Sequence, residues 1–104
     1  MGWIRMINYI KDYGINSLEY EYVVSNLKPE IKDLFKVNQL EVEKNLKFLS
    51  DYGVYEGMAR LIVARPDLFV QPLESLKENV KKLNKSVFVN IANKSPEDLI
   101  LLGV

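Results

Sequence analysis

The chain has 104 residues, enough for one domain with a core of its own, and contains neither cysteine nor histidine. Those two absences exclude disulfides, thiolate chemistry and the usual imidazole base, and they remove the commonest ligands of zinc. Fourteen basic and fourteen acidic side chains give zero net charge, so a charged partner must be recognised by a local patch. Apolar runs such as residues 99–102 are far short of the ~20 residues that cross a membrane. We therefore expect a soluble intracellular protein, cytoplasmic by default, that needs no cofactor or metal.

Two pairs of segments in the chain nearly repeat each other. Residues 9–15 (YIKDYGI) return as residues 48–54 (FLSDYGV), and residues 40–49 are echoed by residues 73–83. Self-similarity at this spacing is typical of helical-repeat proteins, whose units stack because none can bury its apolar side alone. We predict an all-α fold: a short right-handed helical-repeat array, or α-solenoid, of about three helical hairpins in one domain. The units would span about residues 1–37, 38–71 and 72–104.

The first unit is predicted from residues that typically start and end helices. Its first helix carries an apolar stripe with helical spacing, formed by Trp3, Ile7 and Ile10. Gly14 is suited to a left-handed cap at the end of that helix. Ser17 is expected to cap a second helix over residues 18–27, which stops before Pro29 because proline pushes the preceding residue out of the helical region.

The second unit has helix start and stop signals in the same order. Its stripe consists of Val42, Leu46 and Leu49. Gly53 is expected to cap this helix, residues 55–65 to form the second helix, and Pro66 to end it.

The third unit has the strongest apolar period, formed by Leu73, Leu76, Val80 and Leu83. Asn84 stands where the glycines stood, and asparagine tolerates the left-handed conformation better than other side chains. Residues 87–89 are β-branched and aromatic, so a short strand is an alternative there. Ser95 and Pro96 then predict a helix start, with serine as the cap and proline at the first helical position.

The middle of the chain carries a pattern of leucines with one glycine and one proline. Its members are Leu49, Gly53, Val54, Leu61, Ile62, Pro66, Leu68, Phe69, Leu73 and Leu76. The pattern, within residues 45–83, resembles the repeat of the mitochondrial transcription termination factor (mTERF) family. That repeat runs as a helix, a Leu-x-x-Gly-Val/Ile turn, a second helix ending in Pro-x-Leu-Leu/Phe, and a short third helix. The turn at residues 49–54 has one residue more than the commonest spacing.

The resemblance implies a curved all-helical solenoid whose basic concave face grips double-stranded nucleic acid. This chain departs from the family in two ways. It has about three units where the family commonly has more, and it lacks the strongly basic balance that such binding favours.

Lysines recur every four residues near the end of the third stripe. If one helix continued to Lys85, they would line a single edge of it and could face phosphates. The alternative is a solvated face with weak pairs between neighbouring charges. The predicted nucleic-acid-binding residues are Lys47, Arg60, Lys77, Lys81 and Lys85. The expected partner is double-stranded DNA or RNA, and the expected function is that of a non-catalytic binding module.

The alternative function is a protein-interaction or regulatory module without nucleic-acid binding. Its candidate contact residues lie outside the clean stripes and are Trp3, Tyr20 and Tyr22. Tyr13 and Tyr52 each precede a capping glycine and are expected to pack at the helix corner. An enzyme is not expected, because the acidic residues have no histidine, cysteine or glycine-rich phosphate loop to complete a site.

Overall fold

The structure is a computed structural model that describes residues 7–104. This part of the chain consists of helices joined by short turns and contains no strands. Its elements are η1 (Asn8–Tyr13), α1 (Ser17–Asn26), α2 (Pro29–Val37), α3 (Gln39–Tyr52), α4 (Met58–Ala64), α5 (Asp67–Val70), α6 (Leu73–Val80), α7 (Lys85–Lys94) and η2 (Pro96–Leu102), where η marks a 3₁₀ helix. The predicted all-α class is confirmed. Residues 87–89 lie within α7, so the strand alternative is wrong. Trp3 lies outside the described residues.

Helices that hold the same place in the three predicted units pack against one another. The first helices contact each other in the order η1, α3, α6, and the second helices in the order α1, α4, α7. The helices that follow the first two prolines, α2 and α5, are also in contact. The Cα radius of gyration, 12.7 Å, is close to the ~13 Å typical of a compact domain of this length.

The core is formed where the predicted apolar stripes meet. Val42, Leu46 and Leu49 of α3 are fully buried, as are Leu76 and Val80 of α6. On α4 the buried face consists of Met58, Ala59, Leu61 and Ile62. The stripes of the second and third units are therefore confirmed, although the two ends of the third stripe are only half-buried.

Three glycines within residues 7–104 turn the chain at positive φ, namely Gly14 (86°), Gly53 (120°) and Gly103 (80°). Such angles suit glycine because a Cβ would crowd the following carbonyl. An apolar residue follows each glycine and is buried: Ile15, Val54 and Val104. The main-chain N–H of Val54 donates to the Leu49 carbonyl over 2.9 Å, which closes the end of α3. The predicted caps at Gly14 and Gly53 are confirmed.

Asparagine side chains cap the starts of two of the helices. Asn16 accepts a hydrogen bond from the Glu19 main-chain N–H over 2.8 Å, and the Glu19 carboxylate accepts one from Asn16 over 2.9 Å. The cap predicted at Ser17 therefore lies one residue earlier. Asn84 has φ −58° and ψ 143° and accepts from the Ser86 N–H, so it begins α7 instead of ending α6. Ser95 makes no side-chain capping bond.

The turn between α3 and α4 is held by a side chain from α7. The Asn93 Oδ1 accepts hydrogen bonds from the main-chain N–H groups of Tyr55 and Gly57, over 3.0 and 3.1 Å. Its Nδ2 donates to the Gly53 carbonyl over 3.0 Å. Because Asn93 pairs with the main-chain groups of this turn, the turn does not become helical. Helix α4 therefore begins at Met58, three residues later than predicted.

Polar side chains of α3 hold three neighbouring helices. The Glu41 carboxylate accepts from the main-chain N–H of Leu73 over 2.9 Å, at the start of α6, where the helix dipole favours negative charge. The Tyr13 hydroxyl donates to Glu43 over 2.8 Å and ties η1 to α3. Asn45 is fully buried and donates to main-chain carbonyls at the end of α5.

We expect Gly57→Ala to lower the free energy of unfolding by about 3 kcal/mol, because the turn packs directly on α7. A Cβ at this position would lie 2.0 Å from the Ala92 carbonyl oxygen and 2.7 Å from the Asn93 Cα, and both atoms are backbone. Urea unfolding measures the loss. Gly14→Ala is the control: it has open space but a positive φ, so it should cost only about 1 kcal/mol. Equal losses would contradict the close packing of the turn.

Tyr13 should make folding sensitive to alkaline pH. Partial burial and the hydrogen bond to the Glu43 carboxylate raise the pKa of Tyr13 from 10.0 to about 12. The folded chain keeps the phenol proton to a higher pH than the unfolded chain does. The contribution of Tyr13 to folding stability is therefore complete below pH 10.0 and is lost as the pH rises towards about 12. We expect Tyr13→Phe to cost about 1–2 kcal/mol at neutral pH and to reduce the alkaline loss of stability.

The measurement is urea unfolding at neutral pH and near pH 11, close to the middle of that window. Tyr55→Phe, at an exposed tyrosine, is the matched control. If Tyr13→Phe lost as much stability between the two pH values as the unaltered chain, the role given to the Tyr13 proton would be wrong.

Candidate nucleic-acid interface

The predicted lysine row does not lie on one helix, because α6 ends at Val80 and a turn over residues 81–84 precedes α7. Tertiary packing nevertheless brings two of its members together. The Lys77 Nζ lies 5.9 Å from the Phe48 ring centroid, and the Lys85 Nζ lies 4.9 Å from the Tyr52 ring centroid. The two rings are neighbours on α3, with centroids 5.3 Å apart. Cations from α6 and α7 thus sit over one pair of rings.

Lys81 follows Lys77 on the same side of α6. Its φ of −69° and ψ of −8° are still helical, and its main-chain N–H donates to the Lys77 carbonyl over 3.1 Å. Residues four apart in a helix lie one above the other, and Lys81 is exposed. We call Lys77, Lys81 and Lys85, with Phe48 and Tyr52, the lysine–aromatic face.

The two rings of the face are anchored in the core and are only half-exposed. Tyr52 packs edge-on against the fully buried Phe88, with centroids 5.9 Å apart. A lysine ammonium over a ring gains about 0.5–1 kcal/mol at exposed sites and keeps donors free for a further partner. Because the rings carry lysines and contact the core, the face offers positive charge rather than open ring surfaces for base stacking.

Acidic neighbours neutralise the lysines only weakly. Lys47 pairs with Asp51 over 3.2 Å on the exposed side of α3, and Lys77 lies 3.9 Å from the Glu74 carboxylate. Among the described residues, neither Lys81 nor Lys85 pairs with a carboxylate. Exposed pairs contribute about 0–1 kcal/mol, so a phosphate could replace either carboxylate at little cost.

Arg60 does not belong to the lysine–aromatic face. Its guanidinium donates to both Glu97 carboxylate oxygens, over 2.8 and 2.9 Å, and to the Lys94 carbonyl over 3.1 Å. Lys94 lies about 13 Å further along α7 than Lys85, given the helical rise per residue. Arg60 therefore joins α4 to α7 and η2, and we do not include it among the proposed phosphate contacts.

The aromatic residues expected to form a protein contact separate into two environments. Tyr20 is only 8% exposed and packs in the core, because it lies on the inner side of α1 with Val23. The Lys11 Nζ covers its ring at 5.3 Å. Tyr20 is therefore wrong as an exposed contact residue, whereas Tyr22 is 41% exposed. Tyr13 and Tyr52 pack at helix corners, as predicted.

Phe48 and Lys44 also lie at this surface, although neither was predicted as a site residue. Phe48 lies four residues before Tyr52 on the flank of the α3 stripe, which is a spacing that the sequence displays. Lys44, one turn before Phe48, is exposed on the same side of α3. The approach of Lys77 and Lys85 to these rings depends on how α6 and α7 pack, so no local pattern could reveal it.

No helix between residues 7 and 104 has the length and apolar character needed to cross a bilayer. The same residues contain no cluster of three or more acidic, histidine or cysteine side chains that could hold a metal ion.

No protein-family model, curated protein or solved structure matches the chain. The resemblance to the mTERF repeat therefore stays a prediction from the sequence pattern.

We expect the pair between Arg60 and Glu97 to contribute modestly to stability. Both side chains are about half-exposed, so solvent screens the pair. Arg60→Gln and Glu97→Gln should each lower the free energy of unfolding by about 1 kcal/mol or less, with a coupling of about 0.5 kcal/mol in the double variant. Urea unfolding of the four proteins measures this. Additive losses would show that the two groups do not interact in solution.

Proposed function

We propose that this chain is a non-catalytic helical-repeat module that binds double-stranded nucleic acid through the lysine–aromatic face. The observation that supports this function is the convergence of lysines from two helices over the Phe48 and Tyr52 rings of a third. Lys47 and Lys44 extend the positive surface along α3. The two ring contacts stabilise the fold by only about 0.5–1 kcal/mol each at exposed sites, and exposed lysines add little else to stability.

The proposal includes the architecture of a three-unit right-handed array, similar to the mTERF repeat. Support comes from the packing of first helices on first helices and second helices on second helices. Each unit would consist of three helices rather than a simple hairpin, because a further helix begins at or directly after a proline. Those prolines are Pro29, Pro66 and Pro96.

Backbone phosphates, rather than base edges, are the proposed contacts. Lysine provides a point charge with rotatable donors, which suits phosphate oxygens and carries no sequence information. The half-buried rings leave little surface on which bases could stack, so a duplex fits better than a single strand. Zero net charge provides no long-range attraction, so binding should be weak and strongly reduced by salt.

We expect the triple variant Lys77→Gln, Lys81→Gln, Lys85→Gln to flatten the plot of log affinity against log salt by about 2–3, because each lysine neutralises about one phosphate. Fluorescence anisotropy with labelled DNA and RNA duplexes, between about 50 and 200 mM salt, gives the slope. Stability should fall by no more than about 1–2 kcal/mol, from the two lost lysine–ring contacts, since the core stripe of α6 remains intact.

The matched control removes three exposed lysines outside the face, with Lys28→Gln, Lys36→Gln and Lys94→Gln. It has the same net charge as the test variant and should keep most of the salt slope. Equal flattening in both triple variants would mean that binding follows overall charge rather than this face. Absence of duplex binding at about 50 mM salt would reject the proposed function and favour the protein-interaction alternative.

A further inference from the structure

Helix α1 carries apolar side chains on both of its sides. Tyr20 and Val23 are buried against the rest of the fold, whereas Leu18 is 78% exposed and Tyr22 is 41% exposed. Leu18 and Tyr22 are four residues apart, so they form one strip along the outer side of the helix. A surface helix usually places polar residues there. The strip makes little contribution to the core, and its exposure needs another explanation.

A groove runs beside this strip, between α1 and α4. Its volume is about 540 Å³. Its lining residues are Leu18, Glu19, Tyr22, Glu56, Ala59 and Arg60, and we call it the acidic groove. Since α1 and α4 pack directly on each other and Ala59 is buried, the floor of the groove is fixed by the core.

The charges around the groove are predominantly negative. Glu19 and Glu56 lie on its rim, and Glu21 flanks the strip on the opposite side of Leu18. Helix α1 contains no lysine or arginine. The cation in the lining, Arg60, is already engaged: one terminal nitrogen donates to both Glu97 carboxylate oxygens and the other to the Lys94 carbonyl. An approaching partner therefore meets an apolar strip bordered by carboxylates.

We propose that the acidic groove binds a basic amphipathic helix from a partner protein. Apolar side chains of that helix, spaced i, i+3, i+4 and i+7, would cover Leu18 and Tyr22, and its flanking lysines or arginines would face the carboxylates. A groove between two packed helices accepts a third helix, because its side chains fit between the existing ridges. Nucleic acid is excluded as the occupant, because phosphates would face carboxylates.

This proposal uses none of the residues of the lysine–aromatic face. The duplex titration and the experiment that tests the groove can therefore fail or succeed separately.

The probe is a labelled designed helix of about 18 residues, with leucines at i, i+3, i+4 and i+7 and lysines on both flanks. A second peptide keeps the leucines and replaces the lysines with glutamates. We expect the full chain to bind the lysine peptide at least about tenfold more tightly, with the difference shrinking as salt is added. Fluorescence anisotropy measures affinity, and circular dichroism checks that each variant stays folded.

Two test variants, each with a matched control, locate the binding site. Leu18→Ser with Tyr22→Ser should weaken the lysine peptide about tenfold, whereas Leu101→Ser, at a leucine that is 80% exposed elsewhere, should not. Glu56→Lys should weaken the lysine peptide and strengthen the glutamate peptide, while Asp33→Lys, exposed on α2, should change both peptides less.

Three results would overturn the proposal. The first is that the lysine peptide does not bind, or binds no better than the glutamate peptide. The second is that Leu101→Ser weakens binding as much as the double serine variant does. The third is self-association in sedimentation equilibrium that disappears in the double serine variant, because a second copy of the chain would then be the occupant.

Discussion

The buried amide of Asn45 fixes the path of the chain through the middle of the molecule. A helix as short as α5 leaves its last carbonyls without partners inside the helix. The Asn45 Nδ2 donates to the carbonyls of Phe69 and Gln71, each over 2.8 Å. Leaving such groups unpaired in the core would cost about 1–3 kcal/mol each, so α5 must end beside α3. The chain can then turn directly into α6.

The lysine–aromatic face depends on this turn. Once α5 ends beside α3, the Glu41 carboxylate can receive the first N–H of α6, and α6 runs along α3. That course carries Lys77 over Phe48. At the other end of α3, Asn93 holds the turn that leads into α4 and thereby positions α7 against it. Three polar side chains thus set the positions of cations that none of them contacts.

The parts of the fold that the sequence predicts are those that local physics decides. The α3 stripe and the turn at Gly53 follow from helical periodicity and from the freedom of glycine at positive φ. The left-handed turn predicted at Asn84 is wrong, because asparagine also caps helix starts and the structure uses it for that purpose. Leu83 continued the apolar period past Val80, so the pattern concealed the end of α6.

The site was less predictable than the fold, because its geometry is tertiary. The spacing of the lysines is visible in the sequence. Because the helix ends at Val80, however, that spacing alone would not place the lysines on one side of a single helix. They converge because Phe48 and Tyr52 project from α3 towards both α6 and α7. Asn45 and Asn93 gave no signal, since a polar residue next to an apolar stripe is ordinarily exposed.

Although the net charge is zero, the arginines and the lysines of the chain have different roles. The described arginines are engaged within the fold: Arg60 binds Glu97, and Arg65 binds Asp67 and the Val104 carbonyl. A planar guanidinium with several fixed donors suits such joints, because one side chain can satisfy a carboxylate and a carbonyl together. Most of the described lysines, by contrast, are exposed on the outer surface. A partner of the lysine–aromatic face would therefore be held by charge rather than by bidentate fit, which favours a repeating polyanion over a single anionic ligand.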